Sequence, residues 1–464
     1  MDLALDPLAP ARRADGTTAH GCVHHPAPML ALHADLLDFP HAPAWGDTTD
    51  AGARFRPGHW LLIGDDGCIQ AIQTEPPDAA WPREDHRGCW LLPGFIDSHV
   101  HCPQLDVLAS HGTALLDWLD RYTFPAELHH ADAAHSAAAA ARFLDALLAH
   151  GTTAAVVFAT VHAHSAAALF DGAAARGMRL VTGKVLMDRH APPGLLDDPD
   201  PKVAERECLD LIARHHGRAR NTYAVTVRFA PASTQAQLAM AGALCRADPT
   251  LVMQTHVAEN TDEVRWAREL FPQARSYLDI YARAGLLHPR AVLAHGIWLD
   301  TEDRALLADT GAHIAHSPGS NLFLGSGLYD WPAALAADHA TSLASDVGGG
   351  THLCALRSAA EAYKVQALRG ARLTAWTALH AATAGAADAL GLGHEIGRLE
   401  PGLMADLSLW DPAATPLAAH RDEVAQRQGQ GLHARVFAWM MLGDERNLAA
   451  TFVAGRALYR RPGG

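Results

Sequence analysis

Between Leu91 and Ser345 the chain alternates short, almost wholly apolar runs with longer alanine-rich stretches in which apolar residues recur at helical spacing. Runs of the first kind predict strands buried on both faces, and stretches of the second kind predict helices packed over them. Strands are expected at Leu91–Asp97, Thr153–Phe158, Arg179–Leu186, Tyr223–Phe229, Leu251–Thr255, Ala291–Ala294, Ala312–Ala315 and Thr341–Ser345. Among the helices, Ala131–His150 is stopped by Gly151, and Ala236–Ala247 has the same periodicity. Eight strands separated by helices predict an α/β fold, a (β/α)8 TIM-like barrel over residues 91–402.

The two ends of the chain are patterned differently. The apolar runs WLLIG and CIQAI flank Asp65-Asp66-Gly67, which reads as a hairpin, and ADLSLWD with ATFVAGRALYRR repeats the strand-like alternation near the C-terminus. Residues 17–90 and 403–464 are therefore expected to form one small β-sandwich domain, while residues 1–16 lack periodicity and are expected to be disordered. No segment reaches the roughly 18 apolar residues of a membrane span, and the opening MDLALDPLAPARRADG has acids and prolines where a secretory signal has an apolar core. A cytoplasmic protein without membrane contact is expected.

Composition narrows the partners. With 49% hydrophobic and 19% charged residues the 464-residue chain can bury a large core. Its formal net charge of -14 opposes binding to nucleic acid, so any nucleobase it handles is expected to be a free small molecule. The seven cysteines are scattered and form no CxxC pair, which predicts reduced thiols and excludes a cysteine-rich zinc site.

The candidate chemistry starts at Pro93–Gln104, PGFIDSHVHCPQ, where an apolar run ends in His99 and His101. Alternate residues of a strand share a face, so the two imidazoles can reach one ion. Functional groups of a barrel collect at the C-terminal strand ends. That rule gathers His99 and His101, Arg228 and Phe229, His256, His295 and Asp346 from five different strands. Imidazole and carboxylate are ligands for Zn²⁺, which lowers the pKa of a bound water towards ~7. Glu259 follows His256 in an HxxE arrangement and can stand beside an ion as a proton carrier. The HExxH helix of zinc proteases and the PCxxC of cytidine-type deaminases are both absent.

PGFIDSHVH followed by HVAEN, LAHG and SDVGGG resembles the amidohydrolase superfamily, and its deaminase branch in particular. Within that branch HCPQLD, LLDWLDRYTFPAE, GKVLMDR, VRFAP, HVAENTDEV, IAHSPGSNLFLGSG and the closing GDERN are similar to the guanine deaminases. The resemblance implies one Zn²⁺ per subunit held by His99, His101, His256, His295 and Asp346, with Gln104, Arg228 and Phe229 on a guanine substrate. It further implies proton transfer by Glu259 and Asp346, water orientation by His295, and a homodimer. Val227, Ser317 and Cys102 depart from the family pattern without removing a ligand. The alternative is a related aminohydrolase acting on another purine, a pyrimidine or a triazine. From the residues alone, Arg228 and Phe229 also read as an ion-pair partner and a core ring. Trp118 and Phe124 read as pocket or loop packing, His313 and His316 as buried supports, and the His129-His130 and His215-His216 pairs as solvated.

Overall fold

Leucine, valine and alanine runs bounded by turn residues become the strands of two sheets in the computed structural model, which describes residues 29–112 and 114–462. The expectations for residues 1–28 lie outside the described residues. Strands β1 (Leu30–Asp38), β2 (Arg54–Ile63), β3 (Ile69–Gln73) and β4 (Arg83–Pro93) come first. The barrel strands follow: β5 (Phe95–His101), β6 (Thr152–Phe158), β7 (Arg179–Gly183), β8 (Val185–Leu186), β9 (Asn221–Val227), β10 (Val252–Val257), β11 (Ala291–His295), β12 (His313–His316) and β13 (Thr341–Leu343). The chain ends on β14 (Leu407–Trp410), β15 (Leu448–Val453) and β16 (Arg456–Arg460).

The two chain ends meet. β14 pairs antiparallel with β4, and the resulting seven-stranded sheet has the order β16-β15-β14-β4-β1-β2-β3. One face makes its own apolar core from Leu32, Leu36, Leu61, Ile63, Leu407 and Phe452. On the other face Trp410 packs on Phe95 and Trp439, which joins the sheet to the barrel. The hairpin at Asp65-Asp66-Gly67 is β2 to β3, with Asp66 accepting from the Cys68 N–H at 2.9 Å.

Strands β5 to β13 run parallel and form the barrel, with β8 extending β7 beside β9. Three bonds close it: Ser345 N–H donates to Asp97 Oδ1 (3.1 Å), Asp346 N–H to the His99 carbonyl (2.9 Å) and His101 N–H to the Val347 carbonyl (2.8 Å). Small side chains, among them Ala154, Val181, Ala224, Val252 and Ala315, fill the interior, and Leu390, Leu392 and Ile396 pack against them. The helices start on side-chain caps as their sequences predict: Asp132 caps Ala133–Leu148 and Thr234 caps Gln235–Ala247. Among the described residues no helix is long and apolar enough to cross a membrane.

Two of the expected strands are interrupted, and most of the others shift by one or two residues at their ends. The run Leu91–Asp97 is two strands, because Pro93 offers no N–H and the Gly94 N–H donates to Asp406 O (2.8 Å). Leu91 to Pro93 thus belong to the small sheet. The run Arg179–Leu186 is interrupted at Lys184, whose buried ammonium turns to the Val161 carbonyl, Asp197 and Glu207.

Candidate metal centre and active site

The first two candidate ligands sit on β5, all of whose residues are buried, and their Nε2 atoms are 3.2 Å apart. His256, from β10, brings its Nε2 to 3.2 Å from that of His101. Asp346, three residues past β13, places Oδ1 3.1 Å from His99 Nε2 and 3.3 Å from His101 Nε2. His295 ends β11 with Nε2 3.7 Å from Asp346 Oδ2. The donor atoms of His99, His256, His295 and Asp346 all lie within 4.8 Å of one another, and His101 stands against three of the four.

Two imidazoles have their outer nitrogens fixed: His256 Nδ1 is 2.6 Å from the Arg228 carbonyl and His295 Nδ1 is 2.8 Å from Asn321 Oδ1. The donated Nδ1 proton leaves the Nε2 lone pair facing the cluster. Burial pushes His101 down to about 3 and His256 well below its ordinary value, so both rings are neutral near pH 7. Burial alone would raise the Asp346 carboxyl, but hydrogen bonds to His101 and His99 outweigh it and hold the group well below the usual carboxylate range. Neutral imidazole nitrogens at 3.2 Å repel one another unless protons or a cation stand between them. The buried set of imidazoles and one carboxylate fits a metal ion. His295 and Asp346 both adopt the left-handed region (φ 73° and 49°), a strain of about 1–3 kcal/mol each that clusters at functional sites.

Glu259 follows Ala258, itself left-handed at φ 47°, and precedes the cap residue Asn260 of helix Thr261–Leu270. It is therefore not a first-turn acid of that helix. Its N–H donates to Glu263 Oε2 (2.9 Å), and Glu263 is held in turn by the Tyr277 hydroxyl at 2.6 Å. The carboxyl reaches to 3.4 Å from His295 Nε2 and accepts from Ser326 Oγ at 3.1 Å. Burial, then the charges of Asp346 and Glu263, push its pKa well above the ordinary value. A carboxyl held protonated beside a ligand cluster can give a proton to a substrate atom.

The pattern of the chain from Trp90 to Leu458 matches the model of the amidohydrolase family. The chain belongs to the amidohydrolase family. This amidohydrolase is 40% identical to the guanine deaminase of Escherichia coli over 83% of its own length and 86% of the relative's. It is 39% identical to a probable guanine deaminase of Deinococcus radiodurans, covering 93% of this chain and 99% of that one. Its fold superposes on the solved structure of E. coli guanine deaminase with a TM-score of 0.87, covering 93% of this chain and 99% of that chain.

The residues proposed for substrate share one pocket with the ligand cluster: Gln104, Arg228, Phe229 and Glu259 all line it, beside His256 and Asp346. Gln104 accepts from the Gly348 N–H at 3.1 Å, and its amide NH2 has no protein partner among the described residues. Arg228 and Phe229 lie just past β9 rather than on it, and Phe229 meets Trp266 edge-on at 5.9 Å. Trp118 lines the pocket, whereas Phe124 packs beneath the Arg228 guanidinium at 6.0 Å.

One participant escaped the sequence reading. Glu127, fully buried, pairs with Arg228 through Nη1 and Oε1 at 2.5 Å. Its partner lies 101 residues away, and the only local signal is an acid in the apolar stretch TFPAE. Three of the four paired histidines also differ from expectation. His130 is buried and holds Ser136 Oγ at 3.2 Å, His215 stacks on Phe170, and His216 Nδ1 accepts from the Tyr223 N–H at 3.1 Å. These three serve packing and turn structure, whereas His129 is exposed as expected. His313 and His316 are buried, and His316 stacks on Tyr329 with ring centroids 4.7 Å apart.

Proposed function

We propose that this amidohydrolase converts guanine to xanthine and ammonia, with His99, His101, His256, His295 and Asp346 holding one Zn²⁺. The carrying observation is the convergence of those five groups with Glu259, Gln104 and Arg228 on one buried pocket. The guanine deaminases among its relatives support the choice of substrate. A bound Zn²⁺ would supply a Lewis acid that makes water acidic enough to react near neutrality.

The remaining work falls to the chain. Asp346, whose carboxylate is ionised, accepts the proton of the attacking water, and His295 orients that water from the opposite side. Glu259 delivers its proton to the ring nitrogen next to the amino-bearing carbon, which relieves the charge that addition of water places there. The proton taken up by Asp346 then passes to the amino group, which leaves as ammonia, and the remaining hydroxyl proton returns to Glu259. Gln104 and Arg228 offer N–H groups to the carbonyl and ring nitrogens of the purine edge, and Phe229 an aromatic wall. Adenine lacks the carbonyl, so it would leave a buried guanidinium or amide unpaired and be rejected. The same reading takes the protein as a cytoplasmic homodimer, in keeping with the thiols Cys89, Cys102, Cys208, Cys245 and Cys354 and with the family resemblance.

Ammonia release from the zinc-loaded protein with guanine, adenine and cytosine tests the proposal, with metal content measured on the same sample. Release from guanine alone at about one zinc per chain is expected. One bound metal with no release from guanine would refute the substrate and leave the hydrolase site standing.

A further inference from the structure

At the N-terminal ends of the barrel strands, opposite the ligand cluster, lies a second cavity of about 210 Å³, against about 30 Å³ for the cleft over the ligands. Its wall carries three guanidinium groups from separate turns of the chain, those of Arg179, Arg220 and Arg290. Arg220 is fully engaged, with Nε on Glu395 Oε1 at 2.8 Å and its two Nη atoms on Asp406 at 3.1 and 2.6 Å. Arg179 donates to the Arg220 carbonyl at 2.8 Å and stands 3.4 Å from Glu395. Arg290 is different. Its half-buried side chain lines the cavity, and among the described residues it makes no side-chain hydrogen bond and has no carboxylate oxygen within 4.0 Å.

Three fixed positive charges thus face the single carboxylate of Glu395, while Asp406 stands behind Arg220. Burial works against the Arg290 charge and lowers its pKa, with only Asp248 opposing the change. Asn221, Thr222 and Thr250 complete the polar lining. The turn that forms this wall holds Ala219 and Arg220 in the left-handed region, at φ 48° and 67°, where residues with a Cβ are uncommon. The space exceeds that of one water about tenfold.

We propose that this cavity binds a compact oxyanion of the phosphate class, with the Arg290 guanidinium as its principal partner. A guanidinium presents paired N–H donors that match two oxygens of such an ion. The bound ion lies between the turn at Ala219–Arg220 and the segment Gly391–Glu395, so it braces the N-terminal end of the barrel and leaves the catalytic pocket untouched.

Thermal unfolding of the metal-loaded full chain, titrated with inorganic phosphate against sodium chloride of equal ionic strength, tests this. A saturable rise in midpoint of about 3 °C at a hundred times the Kd is expected. It should vanish in Arg290→Gln and persist in Arg283→Gln, a change at an exposed arginine, while guanine turnover stays unaltered in both. An equal rise in Arg290→Gln, or no saturable rise in the unaltered protein, overturns the proposal. Should Arg290→Gln unfold too early for comparison, equilibrium dialysis of radiolabelled phosphate decides. One ion per chain, not displaced by guanine, supports the site; no binding, or displacement by guanine, refutes it.

Discussion

Replacing Glu127 isolates the buried ion pair from the metal site. The carboxylate is wholly buried and the Arg228 side chain only 3% exposed, so solvent can screen neither. Glu127 Oε1 takes Nη1 of Arg228 at 2.5 Å, while its Oε2 has no partner among the described residues. Removing one member of such a pair strands the other charge and costs about 3–5 kcal/mol. Glu127→Ala should approach the upper figure and leave a cavity as well. Glu127→Gln keeps the shape and one neutral acceptor, so about 2–3 kcal/mol is expected from the loss of a charge-assisted bond. A chain of this length unfolds with an entropy of about 1 kcal/mol per kelvin, so the midpoint should fall by about 2–3 °C in Glu127→Gln and 3–5 °C in Glu127→Ala. Because Arg228 would also lose its fixed orientation towards substrate, KM for guanine should rise about tenfold, equivalent to about 1.4 kcal/mol. Calorimetry and steady-state kinetics on the zinc-loaded variants give both numbers. Unchanged midpoint and unchanged KM in Glu127→Gln would refute the idea that Glu127 positions Arg228.

Glu259→Gln should keep its full metal content and lose about 10²–10⁴-fold in kcat, measured as ammonia release beside metal analysis. Chelation should abolish turnover and lower the unfolding midpoint, with both restored by one equivalent of Zn²⁺; a midpoint indifferent to chelator would argue against a metal at the cluster. Arg220→Met should cost about 3–5 kcal/mol by stranding Asp406 and leaving Glu395 to Arg179 alone, yet leave KM for guanine unchanged, since it sits at the far end of the barrel. Glu84, drawn down to about 2 by His86 first and then Arg460, adds stability that is complete above about pH 4.5 and lost as pH falls towards 2. Glu84→Gln should therefore flatten the acid limb of the stability curve in that window.

What the sequence made legible depended on distance along the chain. His99 and His101 are two residues apart on one strand, and His256, His295 and Asp346 each close an apolar run, so the strand-end rule collected them without a structure. The β/α alternation gave the barrel for the same local reason. Glu127 could not be found that way, because nothing near it encodes an arginine 101 residues on. The break at Gly94 was hidden because strands buried on both faces read alike on either side of a domain junction. His130, His215 and His216 misled through composition: 30 histidines make polar doublets common, and whether a ring faces water is settled by tertiary packing, as the stacking of His215 on Phe170 shows.

The shared sheet also sets a schedule for biosynthesis. Ser408, which closes onto the Pro93 carbonyl, is translated 315 residues after it. At ~5–20 residues per second the β14 side of β4 stays open for about 15–60 s, and it is an apolar edge of Trp90, Leu91 and Leu92. The barrel can close in that interval, but the sheet that seals its flank cannot. A nascent chain arrested short of Leu407 therefore presents a sticky strand to its neighbours on the polysome, and high-level expression should respond to slower translation or to a chaperone that covers that edge.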